Sequence, residues 1–245
     1  MIHKTRGLVM RSVKYGETSL VVTVFTELFG LQGYMVSGVR KTAAKGGTRA
    51  GLYQPGTLLD MVVYHNGQQA LHRIRECNWL HIYRNLYDDV RKNAVAMFMV
   101  ELLQKCLRQP EPNPPLFHFT EDALKHLDMA GPVVTANYPI YYAIHLSHFF
   151  GFRMQDSREE TQDILDLREG EFHYEAPGHR EWAGPEVSVP LSLFLKALHP
   201  DSLAEIPLNR DQRRKILESI LLYYQLHSAE FGEMRSLPVL QALMD

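Results

Sequence analysis

From Arg6 to Glu76 the apolar residues alternate with polar ones or fall in short β-branched clusters broken by glycine. The clearest stretches are Gly7-Leu-Val-Met-Arg-Ser-Val13, Ser19-Leu-Val-Val-Thr-Val-Phe-Thr26 and Leu31-Gln-Gly-Tyr-Met-Val-Ser37. A period of two means that side chains point to opposite faces of a pleated strand, so this region predicts strands. Phe29-Gly30 predicts a turn. Asn66-Gly67, lying between Met61–His65 and Gln69–Ile74, predicts a hairpin, because both residues tolerate the positive φ of a tight turn. Five strands fit in this span. So small an antiparallel sheet must hide its edges, and closure into a five-stranded barrel of the OB type does so; an SH3-like barrel fits the pattern alone equally well.

After Trp79 the period becomes helical. Val90, Ala94, Phe98, Leu102 and Cys106 follow an i, i+4 track in a helix with acids at its start and Pro110 beyond its end. Pro110, Pro112, Pro114 and Pro115 predict a stiff connector, followed by a helix from about Thr120 to Ala130. A further helix is expected over Tyr138–Phe150, with Pro139 in its first turn and Gly151 at its end. Residues 154–188 are acidic and irregular, with one hairpin pattern at Asp163–Tyr174. Pro190–Leu198 is bounded by prolines, and Asn209-Arg-Asp-Gln212 is capping-box chemistry opening a long helix. The pattern therefore predicts an α+β, two-domain chain: an OB-fold barrel over residues 1–80, then an all-α domain over 81–245 with an irregular excursion at about 154–188.

Composition adds little until it is divided. The chain has 245 residues, is 45% hydrophobic and 22% charged, and has a net charge of −2. Residues 1–80 carry ten Lys and Arg against four acids, a balance of +6, whereas the remainder carries −8. This polarity predicts that the first domain meets a polyanion. The two cysteines, Cys77 and Cys106, fit a reducing compartment better than a disulfide framework. No apolar h-region follows the basic N-terminus, and the longest uncharged apolar run, Ala94–Val100, is far short of a bilayer span. Neither a secretory signal nor a membrane span is expected.

The segment Gly38–Gly51 places Arg40, Lys41, Lys45 and Arg49 in a glycine-containing loop without an acid. A solvated loop is the bland alternative, but a barrel favours a nucleic-acid contact, with cations along the backbone and aromatic rings beneath bases. Arg11, Lys14, Arg73 and Arg75 add charge on predicted strands, and Tyr34, with Tyr15 and Tyr53, could supply stacking surfaces. The loop lacks the order of a P-loop, so no nucleotide cofactor is expected. His145 and His148, at i, i+3, have no acid or cysteine beside them in sequence, and a partly buried polar pair is favoured over a metal site. No catalytic triad or dyad is recognisable, and no enzyme activity is expected.

The N-terminal region resembles the RecO family of bacterial recombination mediators. The resemblance rests on Val9-Met-Arg-Ser-Val-Lys-Tyr-Gly-Glu17, Val24-Phe-Thr26, Gly30, Gly38-Val-Arg40, Leu52-Tyr-Gln-Pro55 and Leu58–Tyr64. Weaker similarity continues through Asn137–Phe152, Leu222–His227 and Met234–Leu237. It implies a non-enzymatic, cytoplasmic and nucleoid-associated protein that binds single-stranded DNA, with duplex DNA as a second form. It further implies strand annealing, contact with the acidic tail of single-strand-binding protein, and cooperation with RecR in loading RecA. Many relatives carry a four-cysteine zinc site in the helical domain. Residues 151–188 here hold no cysteine, so neither zinc nor another cofactor is expected. Some relatives place an arginine on the helix matching Asn137–Phe152, where Tyr141 and Tyr142 stand here. The tail is therefore expected near Leu102, Leu103 and Cys106, with Arg108 or Arg153 as the cation. The competing readings are a protein-interaction scaffold that binds no DNA and a metal-dependent nuclease. Single-strand binding, and cleavage with added divalent metal, respectively separate them from a mediator.

Overall fold

The computed structural model describes residues 1–39, 49–67, 69–107 and 109–243. It divides into two compact units, Met1–Arg84 with Leu107–Lys125, and Asn85–Cys106 with His126–Asp245. The first is built on strands β1 (Ile2–Tyr15), β2 (Ser19–Thr26), β3 (Gly30–Val36), β4 (Leu58–Tyr64) and β5 (His72–Trp79). They close in the order β1-β2-β3-β5-β4, antiparallel throughout except where β3 meets β5 in parallel at Tyr34↔His72 and Met35↔Arg73. This is a five-stranded OB-type barrel, and it resolves the ambiguity that pattern alone leaves. The alternation holds: Val22 and Val24 on β2 and Leu59, Met61 and Val63 on β4 point inward and are fully buried with Val9. A register shift between Val9 and Arg11 bends β1 so that one long strand serves β4 with its first half and β2 with its second.

The β4–β5 hairpin forms, but Asn66-Gly67 is not a two-residue turn. β4 ends at Tyr64 and β5 begins only at His72, with the first pair of this ladder at Tyr64↔Arg73. The turn at Gly30 has a firmer physical cause. Its φ is +65°, and a Cβ there would stand 2.2 Å from the Glu111 carbonyl oxygen. The proline-rich segment thus lies directly against this turn.

Helix α2 (Pro114–Met129) begins six residues before the predicted Thr120, because Pro114 and Pro115 occupy its first turn, where a missing amide hydrogen costs nothing. Its residues up to Lys125 pack on the barrel. Phe117 meets Phe25 at 5.8 Å, and Arg6 on β1 reaches Glu27 through two hydrogen bonds (2.8 and 2.9 Å) and Glu121 at 3.1 Å.

In the second unit α1 (Val90–Cys106) and α3 (Pro132–Ser147) supply most of the core. α3 starts at Pro132 rather than Tyr138, so Pro139 lies inside it. Gly151 does mark the end of the short 3-10 turn that follows, at φ +83°. Asn137 is fully buried and ties α3 to the 200–206 segment by donating to the Leu203 and Ile206 carbonyls, both at 3.0 Å. The excursion is a small sheet of β6 (Ile164–Asp166), β7 (Glu171–His173) and β8 (Trp182–Ala183), so the second unit is not purely helical. Asp166 organises it, accepting the Arg168 and Glu169 amides and pairing with His179 at 3.1 Å. α4 (Pro185–Lys196), α5 (Arg210–His227) and α6 (Leu237–Leu243) complete the unit. The capping box opening α5 is formed on both sides, Asn209 accepting from the Gln212 amide and Gln212 from the Asn209 amide. No helix among the described residues is long and apolar enough to cross a membrane.

Candidate nucleic-acid interface

A polar groove of ≈ 710 Å³ runs along the barrel between the end of β3, the 3-10 helix at Arg49–Tyr53, and β5. Ser37 and Tyr53 line it on either side of the basic loop, and Arg73 and Arg75 stand on its β5 wall. The alternation of β5 makes both arginines exposed while His72 turns inward. Arg75 is engaged by Glu76 at 3.4 Å. Among the described residues, no ion pair forms to Arg73, Arg11 or Lys14. Arg11 and Lys14 are exposed on β1, and Ser12 beside Arg11 donates to the Tyr53 carbonyl, tying this strand to the groove's rim. Arg40, Lys41 and Lys45 lie outside the described residues, as does the side chain of Arg49. In sequence the segment is flanked by the groove-lining Ser37 on one side and Leu52 on the other.

Tyr34 is not a stacking surface. It is fully buried in the barrel core, where desolvation pushes its phenol well above the usual range, and no base can reach it. Its position follows from pleat parity: Tyr34 shares the inward face of β3 with Gly30, and Met35 beside it lines the groove. Tyr53 is also buried but forms part of the groove wall, and Tyr15 at the end of β1 is 59% exposed. Of the three rings, Tyr15 is the most exposed.

The residues expected to receive an acidic tail are likewise not together on a surface. Leu102 and Leu103 are completely buried and Cys106 nearly so, all three in the core of α1. Arg108 lies outside the described residues, and Arg153 is exposed beside the histidine pair. His145 bonds the Ala197 carbonyl at 3.1 Å, and burial pushes the His148 imidazole down to about 4. Among the described residues no group of three or more His, Cys, Asp or Glu is placed to hold a metal.

An apolar slot does exist elsewhere in the helical unit. Ala136, Pro139 and Ile140 of α3, Leu217 of α5 and Leu240 of α6 form its walls, and Arg210, Arg213 and Arg214 its rim. The sequence carried a signal for it. Three arginines in the opening turns of α5 oppose the helix dipole, which favours acids at that end.

Two family models match the chain, the Recombination protein O N-terminal model over residues 1–83 and the Recombination protein O C-terminal model over residues 87–237. Curated relatives align over almost its full length. DNA repair protein RecO of Christiangramia forsetii is 30% identical over 99% of both chains. The proteins of that name from Bacteroides fragilis and Flavobacterium psychrophilum are each 28% identical, over 100% and 97% of both chains.

Proposed function

The chain belongs to the RecO family of DNA repair proteins, and from that premise we propose that its barrel captures single-stranded DNA along the Arg73 groove and anneals it to a complement. The observation that carries this reading is Arg73, exposed on the β5 wall of a polar groove whose Ser37 and Leu52 flank the acid-free basic loop in sequence, with Arg11 and Lys14 exposed on β1 as further cations of the barrel. Cations left without acidic partners in a folded chain are available to phosphates. Annealing then needs no covalent chemistry. Countercharge lowers the repulsion between two backbones, and a strand held by its phosphates leaves its bases open to a complement.

The helical unit serves the protein partners in this proposal, with RecR joining in loading RecA onto strands covered by single-strand-binding protein. The acidic tail of that protein docks in the apolar slot at Pro139, Ile140 and Leu240, not at Leu102, Leu103 and Cys106. The apolar walls give the terminal side chain of the tail a surface to lie against, and the arginine rim takes its carboxylates.

Fluorescence titration of a labelled single strand across a salt series tests the barrel. Replacing Arg11, Lys14 and Arg73 with Ala should reduce the slope of log K against log salt by about 2, at roughly 0.7 per phosphate lost. It should also slow annealing. Unchanged slope and affinity would move the DNA site off this face. For the tail, Arg210→Ala with Arg214→Ala should weaken a labelled acidic peptide without changing DNA affinity, and equal peptide affinity would empty the slot of this role.

A further inference from the structure

Next to the apolar slot the helical unit has a second and larger cavity, of ≈ 770 Å³, which the mediator reading does not use. The opening turns of three helices line it: Asp89, Arg91 and Lys92 of α1, Pro132, Val133 and Thr135 of α3, and Asn209 and Arg213 of α5. Two of these ends are already served by their own side chains. Asp89 accepts the Arg91 and Lys92 amides at 2.8 and 3.2 Å, and Asn209 closes the capping box of α5. α3 differs, since its N-cap is Gly131, which offers no side-chain cap, and Pro132 follows. The amides of its first turn therefore keep the partial positive charge of an open helix end toward the cavity.

An independent feature points to a ligand at the same place. Thr135 lines the cavity, is 4% exposed, and its hydroxyl has no hydrogen-bond partner; the Nε of Arg213 is also buried and unpartnered. A buried polar group without a partner costs free energy that a bound acceptor returns. Lys92, only 7% exposed, donates to the Asp128 carbonyl at 2.7 Å, which leaves further ammonium hydrogens for another acceptor. Arg213 and Lys92 are basic residues of the lining, and the carboxylate of the lining acid Asp89 is occupied as a cap.

We propose that this basin is an oxyanion site that takes a phosphoryl group, held by the open end of α3, the Thr135 hydroxyl, and the charges of Arg213 and Lys92. Amide, hydroxyl, guanidinium and ammonium donors brought to one cavity by different elements suit a tetrahedral phosphoryl group, whose oxygens accept from several directions, better than a planar carboxylate. The basin adjoins the apolar slot and shares Ala136 and Arg213 with it, but it goes beyond the tail-docking role given to that slot.

Calorimetric titration of the full chain with inorganic pyrophosphate at low ionic strength tests the site in the absence of DNA and peptide. Wild type should bind at one site. Thr135→Val, which keeps the shape and replaces the hydroxyl with a methyl, should weaken binding about fivefold, and Arg213→Gln by more than about tenfold. Arg214→Ala, in the slot but not the basin, should leave pyrophosphate binding unchanged, so a failure of the tail reading and a failure of this one are separable. Competition identifies the source. Displacement by a nucleoside triphosphate alone assigns the phosphoryl group to a nucleotide, and displacement by a short single-stranded oligonucleotide assigns it to the DNA backbone. No binding by wild type, equal affinity of wild type and Thr135→Val, or occupation by acidic peptide only, would overturn the proposal.

Discussion

Tyr34→Phe removes one oxygen and separates two roles that a tyrosine in an OB barrel could have. In the structure the ring is fully buried, packs 5.9 Å from His72, and its hydroxyl has no partner. The phenylalanine keeps the ring and its packing and discards a polar atom whose desolvation nothing offsets. An unpaired buried hydroxyl costs about 1–3 kcal/mol, so the variant should be more stable by about 1 kcal/mol once the small cavity left by the oxygen is allowed for. For a chain of this size that is a rise in Tm of about 2–4 °C. Urea or thermal unfolding followed by circular dichroism reads the stability, and fluorescence titration of a labelled single strand reads the DNA affinity. The affinity should not move, whereas a lost stacking or hydrogen-bonding contact from an exposed tyrosine would weaken it severalfold. Destabilisation with weakened DNA binding would refute the burial argument and return Tyr34 to the interface.

Three further outcomes follow from the same packing. Gly30→Ala should cost at least about 2 kcal/mol in urea unfolding, because it combines a positive φ with a clash against the Glu111 backbone; a smaller loss would mean that the 110–112 segment yields. Arg6→Met should cost about 2 kcal/mol, since among the described residues it leaves the buried Glu121 paired with Lys125 alone (2.6 Å) and deprives Glu27 of its bidentate partner. The hydrogen bond from Arg6 holds Glu27 below its ordinary pKa, so this stabilisation is present above about 4.5 and is lost as pH falls through the lower folded value. The variant's stability should therefore vary less with acid pH. His148 works on the next pH interval: neutral when buried, with a pKa near 4, it binds fewer protons folded than unfolded, so stability should fall as pH drops from about 6.5 toward 4. His148→Gln should flatten that interval, and an unchanged profile would place the titration elsewhere.

Where one local rule governs, the sequence predicts this fold residue by residue. The inward positions of β2 and β4 follow from alternation, the start of α5 from Asn209 and Gln212, and the end after α3 from Gly151. It misleads where a residue satisfies two contexts. Proline disrupts helix interiors but suits first turns, so Pro114 and Pro115 start α2 while appearing to delay it, and Pro139 inside α3 has the sequence character of a beginning. Asn66-Gly67 signals a two-residue turn, yet the barrel pairs β5 with β4 only from Tyr64↔Arg73, further apart than such a turn allows. The same ambiguity separates the expected site residues from the surfaces they were expected on. Tyrosine is at home in cores and on surfaces, and only the phase of β3 relative to Gly30 decides which; Leu102, Leu103 and Cys106 form an apolar stripe whose natural destination is the core of the helical unit.

The arginines of α5 show how a departure from a local rule carries functional information. Cations at a helix N-terminus oppose the macrodipole at roughly 0.3–1 kcal/mol each, and α5 places Arg210, Arg213 and Arg214 there with Asp211 as the only acid of the first turn. Internal compensation is partial. Arg214 reaches Glu218 at 2.9 Å on the exposed side of the helix, and Arg213 spends one nitrogen on the Leu208 carbonyl while its Nε goes without a partner. Burial then pushes the Arg213 guanidinium below its ordinary pKa, with no carboxylate beside it to oppose the shift. A chain optimised only for the stability of α5 would place acids at these positions. The arrangement makes physical sense if the missing countercharge comes from outside the fold. Arg213 lines both cavities where such a charge could enter, the apolar slot beside Ile140 and Leu240 and the open end of α3 at Thr135.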